Sequence, residues 1–410
     1  MAVNERVTRR SAIRLGTAAI VGSAGSDNRI VAADDRRDPS FPDRPFLTPG
    51  KDFEDVSRGT PLPHTLTGEA LVKARLTTES WRLEIVADDK VTMAKPRRIA
   101  DDTAIDYRTL LDLGKTKSVR FLKAMQCNNI PLPLGQGLWE GVLLRDVLAL
   151  CGTYDNARRL YYWGFHNNDP KQIFRSSLAM SQVLDSPPGE MPPFLAYSLN
   201  GEPLSLTRGG PVRMVVPWAH GFKSVKWLHH IVLTNRFDAN DTYAERNNDP
   251  ESYLKTAAYF DSTKAATFPA GKPVVIRGTA MVGWPGLERV EYWLRPDAGT
   301  NGVLAEDDPA WTTAKWQPAI IDPLPKDWHR ELPNGNSPKE IWGFTADGTP
   351  NDWPLRYSIS HWSLKLTDLK PGTYELRVRS VDKNGFAQPA PRSGQRSGKN
   401  LVSSKLITIE

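Results

Sequence analysis

The chain has 410 residues, room for two or three domains, and 40% of them are hydrophobic, enough for real cores. The formal net charge is +6, but residues 1–33 hold five arginines against Glu5 and Asp27, about half the excess; the remainder has no dense basic block, so charge points to no nucleic-acid partner. No apolar run is long enough to span a membrane, and 33 prolines with 30 glycines point to a β-rich, loop-rich protein.

From the N-terminus, "TRRSAIRLGTAAIVGSAG" pairs Arg9 and Arg10 with a short stretch of small residues. Residues 1–33 resemble a twin-arginine export signal, the alternative being a disordered basic tail. That route carries folded proteins, and it implies a periplasmic location. Residues 34–69 are charged and Pro-rich, an extended arm. "WRLEIVADD" (81–89) alternates like a strand, and "IDYRTLLDL" (105–113) has helical spacing. "SVRFLKAMQC" (118–127) reads as a strand that delivers Cys127 to its end. The apolar spacing of "LWEGVLLRDVLALCG" (138–152), with a glycine stop, predicts a helix. "RRLYYWGF" is a further strand and "SSLAMSQVL" a short helix. Asn200-Gly201 is a hairpin signal. "GGPVRMVVPWAHGFKSVKWLHHIVL" (209–233) reads as two buried strands, but its middle shows two lysines and a glycine. After about residue 265 short strands bounded by Gly, Pro and Asp follow one another, the pattern of an immunoglobulin-type β-sandwich over residues 271–410. A long Pro/Trp-rich insertion covers residues 297–358.

The two cysteines, Cys127 and Cys151, make no CxxCH or CxxC, so neither covalent haem nor a thiolate cluster is predicted. In an exported protein they also fit a Cys127–Cys151 disulfide, and with it a non-catalytic binding protein.

Four segments together resemble the sulfite oxidase family of molybdenum enzymes: "MQCNN", "LWEGVLLRDVL", "LAYSLNGEPLSLTRGGPVRMVVPWAHGFKSVKW", and "VVIRGTAMVG...LERVEYWL" with "YELRVRSVDKNGFAQP". The likeness covers roughly residues 70–410. It implies an α+β fold, with a molybdopterin domain over 70–265 followed by an immunoglobulin-like dimerisation domain. It also implies one pterin dithiolene and Cys127 as ligand to a square-pyramidal molybdenum. Arg208, Arg213, Lys223, Ser224, Val225 and Lys226 match the segment that holds the pterin's phosphate end, where arginine, lysine and glycine-opened backbone N–H groups suit an anion. Alone, Lys223 and Lys226 read rather as a solvated strand edge. Tyr259, with Tyr253 behind it, is the candidate catalytic tyrosine; packing at a domain junction is the other reading. His229 and His230 are adjacent on a strand and take packing and solvent roles on opposite faces. "VPWAHGFK" resembles the methionine-sulfoxide-reductase branch, which lacks the C-terminal sandwich.

The implied activity is oxygen-atom transfer on a small sulfur or nitrogen oxyanion, with electrons passed to a separate partner such as a cytochrome. A sulfoxide or oxide reductase is the alternative. Asn128, Asn129 and Ile130 follow the cysteine where sulfite oxidases carry a run ending in arginine. On that ground sulfite should be a poor substrate and a less charged compound preferred, unless an arginine from the arm or the C-terminal domain restores the charge.

Overall fold

Alternation of Leu83 and Ile85, both fully buried, makes Arg82–Ala87 a half-buried strand. It belongs to a computed structural model that describes residues 44–410 except 89, 128, 129, 131, 188, 243–250, 297, 300, 301, 336–338 and 390–399. The export-signal segment 1–33, Asn128 and Asn129 lie outside the described residues.

Arg82–Ala87 pairs in parallel with Leu228–Thr234 and antiparallel with Ile105–Asp106. Arg159–Gly164 and Arg175–Ala179 complete this five-stranded sheet. Asp106 caps the helix Tyr107–Lys117 by accepting from the Thr109 N–H, which sets where the predicted helix begins. A second sheet runs Glu202–Pro203, Phe194–Leu199, Gly135–Leu143, Ser118–Met125, with Arg213–Val215 also on Phe194–Leu199. Asn200 and Gly201, both at positive φ, turn the hairpin as expected.

The helix expected over 138–152 is a correction. Gly135–Leu143 is a strand, and only Leu144–Leu148 is helical, followed by a 3-10 turn at Ala149–Cys151. This strand lies between Ser118–Met125 and Phe194–Leu199 and is buried on both faces. Its apolar residues are therefore nearly continuous, a pattern that periodicity cannot separate from a buried helix. Gly141 allows the approach, since a Cβ there would lie 2.0 Å from the Leu195 carbonyl oxygen. "SSLAMSQVL" likewise divides into the strand Arg175–Ala179 and the helix Met180–Leu184.

Beyond residue 256 the strands follow the sequence reading closely. Ala257–Phe260, Val274–Met281, Ile359–Leu366 and Ile320–Ile321 form one sheet; Ala266–Phe268, Ser403–Ile409, Gly372–Asp382, Leu287–Arg295 and Gln317–Pro318 form another. Both contribute to one core, with Trp362, Leu376, Val378 and Ile407 fully buried. The insertion packs Trp328, Leu332 and Ile341 against Phe46 and Leu47 of the arm and Leu122 and Leu138 of the second sheet. Glu331 accepts the Phe46 N–H at 2.7 Å and the Leu47 N–H at 2.5 Å, which ties the arm down.

Candidate active site

The break in the hydrophobic run at 209–233 has a structural cause. Between Arg213–Val215 and Leu228–Thr234 the chain makes a 3-10 turn at Gly221–Lys223 and then returns to the sheet. Lys123, fully buried on the neighbouring strand, fixes the start of this loop. Its ammonium donates to the carbonyls of Pro217 at 2.6 Å and Ala219 at 3.1 Å, and burial lowers its basicity strongly.

A cavity of about 300 Å³ opens beside the loop. Cys127, Arg208, Arg213, Ser224, Val225 and Lys226 all line it. The sheet thus brings together six of the eight predicted site residues. Cys127 follows Ser118–Met125 by two residues, is partly buried, and is a free thiol. Gln126 fixes its backbone by donating to the Cys127 carbonyl at 3.0 Å.

The Cys127–Cys151 disulfide reading is corrected, because both cysteines are free. Cys151 is fully buried in the core, where desolvation pushes its thiol up to about 11.

Arg208 ends a 3-10 turn capped by the Ser205 side chain. Gly209 follows at φ +96°, and a Cβ on it would strike the Lys226 side chain at 2.7 Å. This glycine therefore lets Arg208 and Lys226 share one wall. Arg213 donates to the carbonyls of Arg208 at 2.8 Å and Ser224 at 2.5 Å. Ser224 accepts the Val216 N–H through Oγ at 3.1 Å. Lys226 donates to Asp55 at 2.7 Å, Ser57 at 2.7 Å and the Thr207 carbonyl at 2.6 Å.

Positive charge is concentrated here against the cost of burial. Desolvation first, then the charge of Arg208, lowers Arg213 to about 9. Desolvation and then Arg213 lower Lys226 to about 8, against the opposing pull of Asp55. Burial pushes the Asp55 carboxyl up, but hydrogen bonds from Lys226 and Ser57 outweigh it and hold Asp55 down at about 2.

Two predicted residues lie elsewhere. Lys223 is almost fully buried and donates to Asp241 at 2.7 Å and the Ser177 carbonyl at 2.7 Å. Asp241 also accepts from Ser176 and Ser177, so this lysine is held in a polar network away from the cavity wall. Tyr259 is buried on Ala257–Phe260, opposite Thr279, and burial raises its phenol well above the usual range. No tyrosine lines the cavity among the described residues, and Tyr253 stacks instead on Trp284 at 4.7 Å. Three of the loop N–H groups are used within the protein: Gly221 donates to the Gln126 carbonyl at 2.7 Å, Lys223 to the His220 carbonyl and Ser224 to the Gly221 carbonyl. His229 is buried against the Arg75 carbonyl, while His230 stacks on Trp163 at 5.1 Å and faces Glu84 at 3.3 Å, in line with packing and solvent roles.

The sequence reading allowed an arginine from the arm without saying which. Phe53, Glu54, Val56, Ser57 and Arg58 line the cavity, and Arg58 lies 5.4 Å over the Phe174 ring. Phe53 packs edge-on against Trp139 at 6.2 Å, which anchors the segment. A lone arginine in a Pro-rich arm has no periodicity to reveal it.

Two atoms test whether this wall suits an anionic cofactor. Arg208 Nε and Arg213 Nε are buried with no hydrogen-bond partner. Each such donor costs about 1–3 kcal/mol unless an acceptor meets it, and a phosphate group is an acceptor of the required charge. With one thiol on the same cavity, the donor set fits a phosphate-bearing, thiolate-ligated cofactor.

Comparison with known proteins agrees. Residues 71–242 match the oxidoreductase molybdopterin binding domain family. Nitrate reductase [NADPH] of Fusarium oxysporum is 33% identical over 286 residues, 63% of this chain and 29% of that protein. Mitochondrial sulfite oxidase of Drosophila melanogaster is 31% identical over 116 residues, 28% of this chain and 19% of that protein. The matches thus span less than a third of these relatives' own length. Among solved structures, the sulfane dehydrogenase SoxCD from Paracoccus pantotrophus shares the fold with a TM-score of 0.53 at 18% identity, over 85% of this chain and 86% of that one. The motif order, the cavity that joins Cys127 to a cationic wall, and these matches lead to one conclusion: the chain carries an oxidoreductase molybdopterin binding domain over residues 71–242 and is similar to sulfite oxidases and nitrate reductases.

Proposed function

We propose that the chain carries out oxygen-atom transfer on a small sulfur or nitrogen oxyanion. The observation that carries this reading is the single cavity lined by the Cys127 thiol and by Arg58, Arg208, Arg213 and Lys226. Cys127 would ligate the metal, and the unpartnered Nε atoms of Arg208 and Arg213 would hold the cofactor's phosphate. When bound, the molybdenum supplies the two-electron oxygen-transfer chemistry. The protein's own part is to orient and desolvate. Trp139 and Phe53 exclude water from one side, while Arg58 supplies a cation that attracts and aligns an anion.

Arg58 revises the expectation that sulfite is a poor substrate. Ile130 does bring an apolar side chain to the cavity, but the arm brings a guanidinium from another direction. A cation in the cavity favours an oxyanion over a neutral sulfoxide. Metal analysis of the protein purified through its own export route tests the cofactor, with one molybdenum per chain expected and none fatal to the reading. Steady-state kinetics test the substrate class. Arg58→Gln should raise KM for sulfite or nitrate about tenfold or more, and an unchanged KM would remove Arg58 from the reading.

The Arg9-Arg10 segment supports twin-arginine export to the periplasm. A separate carrier such as a cytochrome would take or return the two electrons singly between turnovers. The C-terminal pair of sheets over one core is read as an immunoglobulin-like module that dimerises the chain. Sedimentation of the intact chain at twice the monomer mass is the expected result.

A further inference from the structure

The ammonium of Lys226 has three N–H donors, and the protein uses all three. Asp55 and Ser57 take two of them at 2.7 Å each, and the Thr207 carbonyl takes the third at 2.6 Å. A lysine in this state has nothing to offer a phosphate until one bond is exchanged. Thr207 is backbone in the turn that leads into Arg208, so it stays. Asp55 and Ser57 belong to the arm, and both rest on local bonds: Ser57 donates to Asp55 through its N–H at 3.1 Å and its hydroxyl at 2.6 Å.

The same carboxylate reaches further. Arg208 lies 4.0 Å from it and His64 3.8 Å, and Arg208 also donates to the Glu54 carbonyl at 3.2 Å. Asp55 is therefore the anion that the cationic wall holds, and it is carried on the segment that lines the cavity from Phe53 to Arg58. A phosphate on Arg208 Nε and Arg213 Nε would stand beside this carboxylate, and two anions on one wall repel.

We propose that Asp55 is a competing counter-ion for the cofactor's phosphate, so that anion binding at Arg208, Arg213 and Lys226 is coupled to release of the arm segment 53–58. The inference rests on the function proposed above. It adds a residue that the cavity wall does not need for holding the cofactor, but that sets how tightly an anion is held and how the arm responds. In this arrangement Asp55 keeps the cations paired until the cofactor arrives. Phosphate then replaces it on Lys226, and segment 53–58 is freed from the wall.

The test uses the full-length chain produced without cofactor, with inorganic phosphate as the probe. Thermal unfolding is followed against phosphate concentration in the wild type, Asp55→Asn and Asp52→Asn. Asp52 is exposed on the same arm and serves as the control for net charge. Asp55→Asn should lower the phosphate midpoint on the order of tenfold, the effect of removing one like charge a few ångströms away at the protein surface. Asp52→Asn should leave it within about twofold, as expected of a screened surface charge. A midpoint unchanged or raised in Asp55→Asn would overturn the proposal and make Asp55 a structural strut. If Asp55→Asn does not fold, tryptic cleavage after Arg58 in the wild type decides instead. Phosphate should accelerate it, and slower or equal cleavage overturns the coupling. Molybdenum content of the wild-type holoenzyme separates the two failures. Metal present with no Asp55 effect removes the latch alone, and metal absent removes the function on which it rests.

Discussion

In the C-terminal sheets, Glu375 is fully buried and receives Arg295 at 2.7 Å and Arg377 at 2.7 Å. Arg377 also donates to the Leu304 carbonyl and lies 4.4 Å over Trp311. The cluster is closed, because its carboxylate sits between its two cations. The cavity wall also buries arginine, but Arg208 and Arg213 lie side by side and leave Nε donors unpaired, and the nearest carboxylate, Asp55, stands on a separate segment. Burial of charge is affordable in the first place and incomplete in the second. The contrast shows how to tell a structural ion cluster from a binding site: in the first the protein completes the hydrogen bonds, in the second it leaves them for a ligand.

Four changes would break or sharpen this contrast. Cys127→Ser should abolish turnover and leave the fold intact, because a hard, basic ligand replaces a thiolate. Cys151→Ser should keep activity, and equal damage from both would show that the thiol's place in the cavity is incidental. Glu375→Gln should cost about 3–5 kcal/mol by leaving the buried Arg377 and the half-buried Arg295 poorly compensated, measured by denaturant unfolding, with molybdenum content per folded chain unaltered. Arg213→Ala should weaken cofactor retention about 10- to 100-fold, through loss of about 1.5–3 kcal/mol of charge-assisted bonding. Full molybdenum occupancy in this variant would falsify the anion role of the wall.

The smallest effect is in acid. The Asp55 carboxyl is held at about 2 against an ordinary 3.8, so its contribution to stability is complete above the ordinary value and disappears as pH falls through about 2. Asp55→Asn should therefore flatten the loss of stability between these two values relative to the wild type. Parallel curves for the two proteins would mean that the Lys226 bond contributes nothing in solution.

What the sequence made legible follows its local chemistry. The strand that ends at Cys127 was readable because strand signals are local, but Arg208, Arg213 and Lys226 were readable only through the resemblance of their whole segment to the family's phosphate-binding stretch. The strand Val274–Met281 was equally clear, since its buried positions alternate. Gly135–Leu143 was misread because both of its faces are buried. Lys223 was misplaced because its destination is decided by Asp241, a partner that no spacing rule connects to it. Arg58 and Asp55 were invisible for the same reason: the arm has no period, and only tertiary packing brings it to the cavity.

The arm has one further consequence, in the order of events during synthesis. Phe46 and Leu47 are held by Glu331, some 285 positions later in the chain, and Arg44 donates to the Gly278 carbonyl at 3.1 Å. Contacts of such separation close late, because the intervening chain must be ordered first. Arg44–Leu47 therefore dock only after Gly278 and Glu331 have been made, whereas Phe53–Arg58 meet Trp139, Phe174, Arg208 and Lys226, all made earlier. The two ends of one arm thus settle at different times, its cavity side ahead of its anchor on the C-terminal half.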